Sequence, residues 1–500
     1  MLQRGEDMQI HPSQQEFTRL AKKNNLIVLS HKFYSDSLTP VSIYHILSSE
    51  FREESFLLES VEGEEKISRF SFMGFVPLAV FKSKGKKISI KEQKENTFIT
   101  EKDPLFELRK FMHKFKVAPK ENLRFFGGFV GYLGYDLIRF YEPIGESKKD
   151  FLNTPDTYLV LPKFLIIFDH LKKQIEILSF VKINLKQGIK SIYARELKII
   201  EKIFKKLQNP VGLKTLSMST AAKVNLKSNL SKKNFMSIVE KARKYIKEGE
   251  IIQTVLSQRF SVDFSGDPFN VYRYLRILNP SPYMFYLNLK GLKVAGSSPE
   301  MLLRCEKNVL ITRPIAGTRP RGKDEPEEKK LEKSLLDDPK ECAEHIMLVD
   351  LARNDLGRVA ESASVNVPIF MTIEHFSHVM HIVSEVRAHL RKGEDIFSAF
   401  TSCFPAGTLS GAPKVRAMQI INELEKDGRG IYAGSVGYFS FTNSLDTCII
   451  IRTIVFKGNK AYIQAGAGIV MDSEPQKEYK ETLNKAKAQV LAVRLAKGLA

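Results

Sequence analysis

A chain of 500 residues with 43% hydrophobic and 27% charged residues can bury a large core, and this balance excludes a disordered or fibrous protein. The net charge of +20 comes from basic residues scattered along the chain rather than gathered in one patch, so we interpret it as a solvated surface and expect no nucleic-acid partner. The N-terminus is polar, and the most apolar stretch, 158–168, is short and contains Lys163, so neither a signal peptide nor a membrane span is expected.

The first 204 residues are predicted to mix short strands with helices. Patterns typical of strands lie at 70–90, 125–132, 158–168 and 174–183, and helical periodicity occurs at 105–115 and 191–204. The glycines of segment 127–134 match neither G-x-G-x-x-G nor a Walker A loop, so we interpret them as structural glycines in closely packed strands. Residues 205–230 lack periodicity and are rich in Ser, Thr, Asn and Lys, which predicts a linker.

Residues 231–500 are predicted to begin with a helix that Ser231 caps and that ends near Gly249. The later pattern predicts a strand at 251–260, a helix at 268–278, strands up to Ile315, two helices within 325–357, strands within 432–467 and a last helix from about Ser473. Because strands and helices do not alternate strictly, we predict a mixed α/β (α+β) fold with largely antiparallel sheets rather than a doubly wound one.

The four cysteines indicate a reducing environment. They are widely spaced and form no C-x-x-C pair, so we expect reduced, mostly buried thiols and a cytoplasmic location. Their positions are Cys305, Cys342, Cys403 and Cys448.

The segment 312–322, TRPIAGTRPRG, contains too many turn-forming residues for ordinary core packing. Gly317 and Thr318 place backbone N–H groups and a hydroxyl at a bend, with Arg313, Arg319 and Arg321 beside them. Such a set of donors suits an anion such as a carboxylate. A basic surface turn explains the segment equally well, so these residues alone leave both interpretations open.

Two pairs of glutamates have the spacing of metal ligands. Glu341 and Glu344 lie three residues apart on a predicted helix, on the side of its apolar residues, where unpaired carboxylates are costly. Glu478 and Glu481 form a second such pair on the last helix. Carboxylates are ligands that Mg²⁺ prefers. For the second pair, an ordinary surface ion pair between Glu481 and Lys485 is a strong alternative.

Several further positions are candidates only when taken together. His381 lies in a β-like run, where a histidine is more often a core residue than a catalyst. The loop that begins segment 404–418 precedes a helix, and such junctions bind anions or merely cap the helix. An aromatic, a guanidinium and a run of small residues that allow close approach fit a pocket, and they are Tyr432, Arg452 and Gly466-Ala467-Gly468.

These motifs together resemble the chorismate-utilising enzymes, and within them the component I subunits of anthranilate synthase. The similarity covers most of the chain from about Ser55 onward. The matching stretches are LLES (57–60), GGFVGYLGYD (127–136), NPSPYMFY (279–286), SSPE (297–300), RPIAGTRPRG (313–322), EHIMLVDLARNDLGRV (344–359), MHIVS (380–384), FPAGTLSGAPKVRAM (404–418), YAGSVGYF (432–439), DTCIIIR (446–452) and QAGAGIVMDSEPQKEYKET (464–482).

The resemblance implies a fold and a reaction. The fold would consist of large, mostly antiparallel sheets packed as a sandwich with helices outside. Relatives that add water to chorismate have a Lys where this chain has Gln253, and aminodeoxychorismate synthases typically have a Lys where it has Ala316. The expected reaction is therefore the conversion of chorismate and free ammonia to anthranilate and pyruvate. Aminodeoxychorismate synthase component I is the alternative within the family, and a basic nucleic-acid-binding protein is the alternative from another class.

The resemblance also implies roles for individual residues. The expected Mg²⁺ ligands are Glu341, Glu344, Glu478 and Glu481. The residues expected to orient chorismate are Gly317, Thr318, Tyr432, Arg452, Gly466, Ala467 and Gly468. Glu300 would act as a general acid, His381 would assist the loss of pyruvate, and Thr408 would lie in the same site.

Family members of this kind are inhibited by tryptophan and receive ammonia from a partner. The positions that match the inhibitor site are Glu59, Ser60, Pro282, Tyr283 and Met284. We therefore expect tryptophan-site elements in region 1–204, a linker at 205–230 and a chorismate-binding catalytic region at 231–500. No glutaminase motif such as G-x-C-x-G is seen, which implies a separate glutamine amidotransferase subunit and a hetero-oligomer.

Overall fold

The structure is a computed structural model that describes residues 8–60, 69–118, 124–184, 186–209, 212–218, 221–376 and 379–499. A short 3₁₀ helix spans Tyr135–Phe140. The α-helices are α1 Gln14–Leu20, α2 Pro40–Glu50, α3 Pro104–Met112, α4 Ile189–Gln208, α5 Lys232–Lys247, α6 Pro268–Leu278, α7 Glu325–Leu336, α8 Pro339–Gly357, α9 Ile396–Cys403, α10 Gly407–Ser410, α11 Lys414–Leu424 and α12 Pro475–Lys497.

Within the described residues, 23 strands join into one extensively hydrogen-bonded system. They are β1 Ile10–His11, β2 Leu26–Tyr34, β3 Ser55–Glu59, β4 Phe70–Lys84, β5 Lys87–Lys91, β6 Glu95–Ile99, β7 Gly128–Leu133, β8 Thr157–Asp169, β9 Gln174–Lys182, β10 Lys227–Ser228, β11 Gln253–Asp263, β12 Tyr283–Leu289, β13 Leu292–Ser298, β14 Met301–Glu306, β15 Val309–Thr312, β16 Ile315–Pro320, β17 Asn366–His375, β18 Val379–His389, β19 Gly411–Ala412, β20 Ser435–Ser440, β21 Leu445–Ile449, β22 Thr453–Lys457 and β23 Lys460–Ile469.

The pairs formed by these strands are antiparallel, which confirms the predicted fold class. From β4 and β8 one branch runs through β7, β20, β21, β14 and β15 to β18. The other branch runs from β4 through β3, β12, β13, β22 and β23 to β11. Each branch thus begins with strands of the N-terminal region and continues into strands of the C-terminal region.

Both faces of the central strands are buried, which produces the sandwich. In β8, Val160 and Leu165 belong to an apolar core that the facing strands share. Leu159 points the opposite way, into the core under α3, α8 and α9. Phe164, also on that outer side, joins the core under α2, α4 and α6. Neighbouring side chains, Leu159 and Val160 or Phe164 and Leu165, thus point to opposite faces, one between the strand layers and the other beneath the helices.

The predicted boundary falls inside this shared architecture. Helix α4 continues to Gln208, and residues 212–218 and 221–226 have no regular secondary structure. On either side of them, β3 pairs with β12 and β7 pairs with β20. Regions 1–204 and 231–500 are thus joined by backbone hydrogen bonds, and their separation into two domains stays a prediction.

Local features predicted from the sequence are also present. Ser231 caps α5, and its Oγ accepts a hydrogen bond from Asn234 N at 3.2 Å. A Cβ on Gly128 would lie 2.0 Å from the carbonyl oxygen of Phe439, so close strand packing explains this glycine. The four cysteines are free, and three of them are buried. Among the described residues, no helix has the length and apolar character needed to cross a bilayer.

Candidate active site

Glu300 is a buried carboxyl group at the turn between β13 and β14. Its side chain is 8% exposed, and its Oε1 accepts a hydrogen bond from Thr408 Oγ1 at 2.9 Å. Burial raises the pKa of Glu300 to about 8, against the smaller opposing effects of Thr408 and Arg452. At neutral pH the group is therefore mostly protonated, which suits a proton donor.

Thr408 reaches Glu300 because of the short helix α10. The peptide bond before Pro405 is cis, and the chain then turns through Gly407, whose added Cβ would lie 2.9 Å from Leu351 of α8. The two polar side chains line a cavity of about 400 Å³ whose other walls are mainly apolar. This apolar surrounding is the cause of the desolvation that raises the pKa of Glu300.

His381 lies on β18 with its ring held against β16. Its Nδ1 is 2.8 Å from the carbonyl oxygen of Gly317 and 3.1 Å from Thr318 Oγ1. Since a carbonyl can only accept, Nδ1 carries the proton and Nε2 has a free lone pair. Burial lowers the pKa of His381, so the imidazole is neutral at physiological pH and can act as a base.

Arg452 lies near both Glu300 and His381. It follows β21 with a positive φ of 48°, and its Nη1 is 3.4 Å from Asn279 Oδ1. Its charge lowers the pKa of Glu300 and that of His381, in each case as a smaller effect than burial, so it lies near both. A guanidinium near an acid and a base can hold a carboxylate of a substrate close to both.

Glu341 and Glu344 lie half-buried in the first turns of α8, near the Gly317 backbone that also contacts His381. A Cβ on Gly317 would be 3.3 Å from Glu341 Oε2. Burial, and to a smaller extent the Glu344 carboxylate, raises the pKa of Glu341. Glu344 Oε1 accepts a hydrogen bond from Gln253 Nε2 at 3.1 Å, which ties α8 to the start of β11.

Glu478 and Glu481 approach the same region from α12. Burial raises the pKa of Glu478, with a contribution from Glu481, and Lys340 opposes it from the start of α8. The ion pair suggested by the sequence also forms, with Lys485 Nζ 2.6 Å from Glu481 Oε1. Among the described residues, one group of acidic, His or Cys side chains has potential metal-ligand atoms that all lie within 4.8 Å of one another. It consists of Glu328, Glu332 and His375. The carboxylate oxygens of the four predicted Mg²⁺ ligands therefore do not all lie within this 4.8 Å limit.

Small residues of β23 form a further wall of the candidate active site. A Cβ on Gly466 would lie 2.8 Å from the hydroxyl of Tyr432, and one on Gly468 would lie 2.6 Å from Gln253 Nε2. A side chain at either position would clash with these groups, so both glycines allow Tyr432 and Gln253 to approach β23 closely. The side chain of Ala467 points to the other face of the strand, into the core under α5 and α11, so its methyl group does not line this wall.

The arginines of segment 312–322 do not form the open anion site that the sequence suggested. Arg313 pairs with Glu374 and lies 3.6 Å from Glu385, and Arg319 pairs with Asp338 at 2.8 Å. Arg319 also lies 3.3 Å from Glu341, and Arg321 pairs with Glu328 at 2.5 Å. The three guanidinium groups are thus bound to carboxylates of the chain itself, and the segment contributes Gly317 and Thr318 to the site instead.

A second cavity, of about 600 Å³, contains the predicted regulatory residues. Glu59, Ser60, Pro282, Tyr283 and Met284 all line it, because β3 pairs with β12. Aromatic and aliphatic side chains form most of the remaining wall, including Phe72, Phe285 and Tyr438.

Glu59 is the most unusual group in this cavity. Its Oε2 accepts a hydrogen bond from Tyr272 at 2.5 Å and lies 3.3 Å from Arg276 Nε. Its Oε1 is buried and has no hydrogen-bond partner among the described residues. Burial raises the pKa of this carboxyl group. A carboxylate that lines a mainly apolar cavity and has one unused oxygen can accept a hydrogen bond from a cationic ligand group.

Sequence reasoning missed several residues that shape the two sites. Their signal is weak because each becomes meaningful only through a distant partner in the fold. They are Asn279 and Lys340 near the first site, and Tyr272, Arg276, Arg304 and Asp446 near the second.

A family model for the chorismate binding enzyme matches residues 53–490. The chain is also 48% identical, over 98% of its length and 99% of the relative, to anthranilate synthase component 1 of Aquifex aeolicus. It belongs to the chorismate-binding enzyme family. A second family member, anthranilate synthase component 1 of Acetivibrio thermocellus, is 45% identical over 97% of this chain and 98% of its own.

Solved structures of the family have the same architecture. Anthranilate synthase component I from Streptococcus pneumoniae is 36% identical, with a TM-score of 0.76, and the match covers 91% of this chain and 98% of that chain. The menaquinone-specific isochorismate synthase from Escherichia coli is 19% identical with a TM-score of 0.71 over 96% of this chain and 98% of its own, which shows a common fold. These chorismate-binding enzymes support the predicted mixed α/β fold.

Proposed function

We propose that this chorismate-binding enzyme is the large subunit of an anthranilate synthase, a lyase that converts chorismate and ammonia to anthranilate and pyruvate. The full-length relatives named anthranilate synthase component 1 support this activity. The structural feature that supports it most is the buried, protonated Glu300 beside Arg452 and the neutral His381. An acid and a base held around one guanidinium can carry out an addition with loss of a hydroxyl and then an elimination.

In the first step, Glu300 donates its proton to the ring hydroxyl of chorismate, which leaves as water while ammonia bonds to ring carbon 2. The ammonium group formed there then releases one proton. The apolar cavity and the hydrogen bond from Thr408 keep this carboxyl group in one orientation. Protonation of the leaving group is needed because hydroxide itself is a poor leaving group.

Substrate orientation is assigned to groups that surround Glu300 and His381. Arg452 binds one carboxylate of chorismate, and the hydroxyl of Tyr432 and the backbone at Gly317-Thr318 and Gly466–Gly468 bind the remaining polar groups. The glycines matter because the absence of side chains lets Tyr432 and Gln253 lie close to the backbone of β23.

The half-buried glutamates have the donor set that Mg²⁺ requires. Glu341, Glu344, Glu478 and Glu481 would hold the ion, since both pairs contain a carboxyl group whose pKa burial and a like-charged neighbour raise. When bound there, Mg²⁺ would supply a Lewis acid that polarises the ring carboxylate of chorismate.

In the second step, His381 removes the ring proton through Nε2. The bond from the ring to the enolpyruvyl oxygen breaks, the ring becomes aromatic, and the released enolpyruvate takes up a proton to give pyruvate. The Gly317 carbonyl fixes the tautomer that this step needs, because it holds the other ring nitrogen as a donor.

Two residues favour this reaction over those of other family members. Ala316 is buried on β16 and carries no amine that could attack the ring, which argues against aminodeoxychorismate synthase component I. Gln253 cannot act as a base for water, and it is hydrogen-bonded to Glu344. Ammonia is therefore the nucleophile, and a separate glutamine amidotransferase subunit in the cytoplasm would supply it within a hetero-oligomer.

The proposal is tested by incubating the purified chain with chorismate, Mg²⁺ and ammonium at alkaline pH. Anthranilate and pyruvate in equal amounts are the expected products, and chelation of Mg²⁺ is expected to stop their formation. Mass spectrometry and anthranilate fluorescence identify the products. Isochorismate or aminodeoxychorismate as the end product would show that the roles of Gln253 and Ala316 are wrong.

Tryptophan is proposed to inhibit the enzyme by binding in the second cavity, with its ammonium group on Glu59. Glu59→Gln should raise the tryptophan concentration for half-inhibition by roughly 10- to 100-fold, because a charge-assisted hydrogen bond is lost. Glu54→Gln is the matched control, since Glu54 is also buried, is bonded by Tyr158 at 3.1 Å and lies outside the cavity lining. Unchanged inhibition in Glu59→Gln, measured from initial rates, would exclude this carboxylate as the ammonium site.

A further inference from the structure

Arg429 is a buried arginine to which the reaction described above assigns no role. It lies between α11 and β20, and its side chain is 1% exposed. Its Nε and Nη2 donate to the two carboxylate oxygens of Glu425, at 3.0 and 2.7 Å. Glu425 also accepts hydrogen bonds from the backbone N and the Oγ of Ser257, both at 2.8 Å. The ion pair therefore has the bidentate geometry and the additional hydrogen bonds that an ion pair needs away from water.

Two more hydrogen bonds of Arg429 reach backbone carbonyls in the walls of the active site. Nη1 donates to Leu409 O at 2.7 Å, and Leu409 is the neighbour of Thr408 in α10. Nη2 donates to Val255 O on β11 at 2.6 Å. The Cγ1 of Val255 is 3.1 Å from the position that a Cβ on Gly466 would occupy. The Arg429 guanidinium thus joins helix α10, which contains Thr408, to strand β11, which faces Gly466.

The flat face of the same guanidinium lies near Tyr432. The Arg429 Cζ is 5.7 Å from the centroid of the Tyr432 ring and 4.9 Å from that of Tyr135. A guanidinium can stack on an aromatic ring while it donates in its own plane, whereas an ammonium group lacks this planar geometry. The position of Tyr432, whose hydroxyl faces Gly466, is therefore also coupled to Arg429.

On the basis of the proposed function, we propose that Arg429 is a positioning residue for the amination of chorismate. It fixes helix α10, the Val255 segment of β11 and the Tyr432 ring in a single arrangement. Through α10 it keeps Thr408 within hydrogen-bond distance of Glu300. Arg429 itself touches none of the reacting atoms, so its effect on the reaction is indirect.

The test is Arg429→Lys in the full chain, assayed with chorismate, Mg²⁺ and a fixed concentration of free ammonia. Lys keeps the charge but cannot make the four hydrogen bonds, so kcat should fall roughly 10- to 100-fold, more than KM rises. The hydrogen bond from Thr408 lowers the pKa of Glu300, so its weakening should also move the alkaline limb of the kcat profile to higher pH. Loss of folded protein alone would lower the apparent kcat at every pH without moving the alkaline limb of the profile.

Arg259→Lys is the matched control. Arg259 is 7% exposed and forms a buried ion pair with Asp427 at 2.7 Å, and its hydrogen bonds do not include α10. This variant is expected to keep the wild-type kcat and pH profile. If Arg429→Lys does not fold, the double variant Glu425→Gln and Arg429→Gln replaces the ion pair with neutral amides, and it should show the same loss of kcat and the same shift.

Three results would overturn the inference. The first is a folded Arg429→Lys variant with the wild-type kcat and pH profile. The second is a loss of kcat that matches the loss of folded protein measured by circular dichroism, without a shift in the profile. The third is failure of both variants to fold, which would make Arg429 a structural residue. If the wild-type chain forms no anthranilate, the proposed function itself fails, and this outcome is seen before any variant is made.

Discussion

Glu300→Gln is expected to reduce kcat for anthranilate formation by roughly 10²- to 10⁴-fold, because an amide cannot donate the proton that the leaving hydroxyl needs. The substitution keeps the size of the side chain and can still accept the hydrogen bond from Thr408. Chorismate should therefore still bind, and its KM should change much less than kcat. Stopped assays with anthranilate fluorescence measure both parameters.

The pH dependence gives a second test of the same residue. Burial raises the pKa of Glu300 to about 8, so its proton-donating form is present below that pH and disappears above it. With the concentration of free ammonia held constant, kcat should fall as the pH rises through about 8. The alkaline limb should be absent from the residual activity of Glu300→Gln.

Glu196→Gln is the control for the loss of a buried carboxylate. Glu196 is 1% exposed, pairs with Lys163 and lies on α4, under the N-terminal strands. Its replacement should leave kcat and the pH profile unchanged, whatever its effect on stability. Activity within tenfold of the wild type in a folded Glu300→Gln variant would remove Glu300 from the role of general acid.

His381→Asn should separate the two steps of the reaction. Asn can still donate to the carbonyl oxygen of Gly317 but has no counterpart of the basic Nε2. Chorismate and ammonia should still combine, while the loss of pyruvate should slow by roughly 10²- to 10⁴-fold. The aminated intermediate, which keeps the enolpyruvyl group, should then accumulate, and liquid chromatography with mass spectrometry would detect it.

The control for His381→Asn is His170→Asn. Burial lowers the pKa of His170 too, and its Nε2 lies 2.8 Å from Ser71 Oγ, at the far end of β4 and β8. This variant should form anthranilate without accumulating an intermediate. If His381→Asn consumes chorismate and releases pyruvate at equal, wild-type rates, the histidine is not the base for elimination.

Much of the local structure follows directly from the sequence. The helix predicted at 268–278 has the same bounds in the structure, since Asp267 caps it and Pro268 occupies its first turn. The last helix begins at Pro475, close to the predicted Ser473. Helix α3 ends at Met112, three residues before the predicted end, because periodicity alone does not mark where a helix stops.

The sequence alone also determined which chemical groups are available. Positions 316 and 253 carry Ala and Gln, so neither can supply the Lys amine that other family members have there. This holds in any fold, because the identity of a side chain does not depend on its surroundings. Likewise, the three-residue spacing of Glu341 and Glu344 places both carboxylates on one side of any helix that contains them.

Only the tertiary structure decided how these groups behave. The pKa of Glu300, the partners of Arg319 and the unused oxygen of Glu59 depend on neighbours that are far away in the sequence. Burial and charge act over a few ångströms in space, so they are set by which strands pair and which helices cover them. The sequence determined the local elements and the chemical groups, and the pairing of β3 with β12 and the contact of α10 with Glu300 determined where those groups meet.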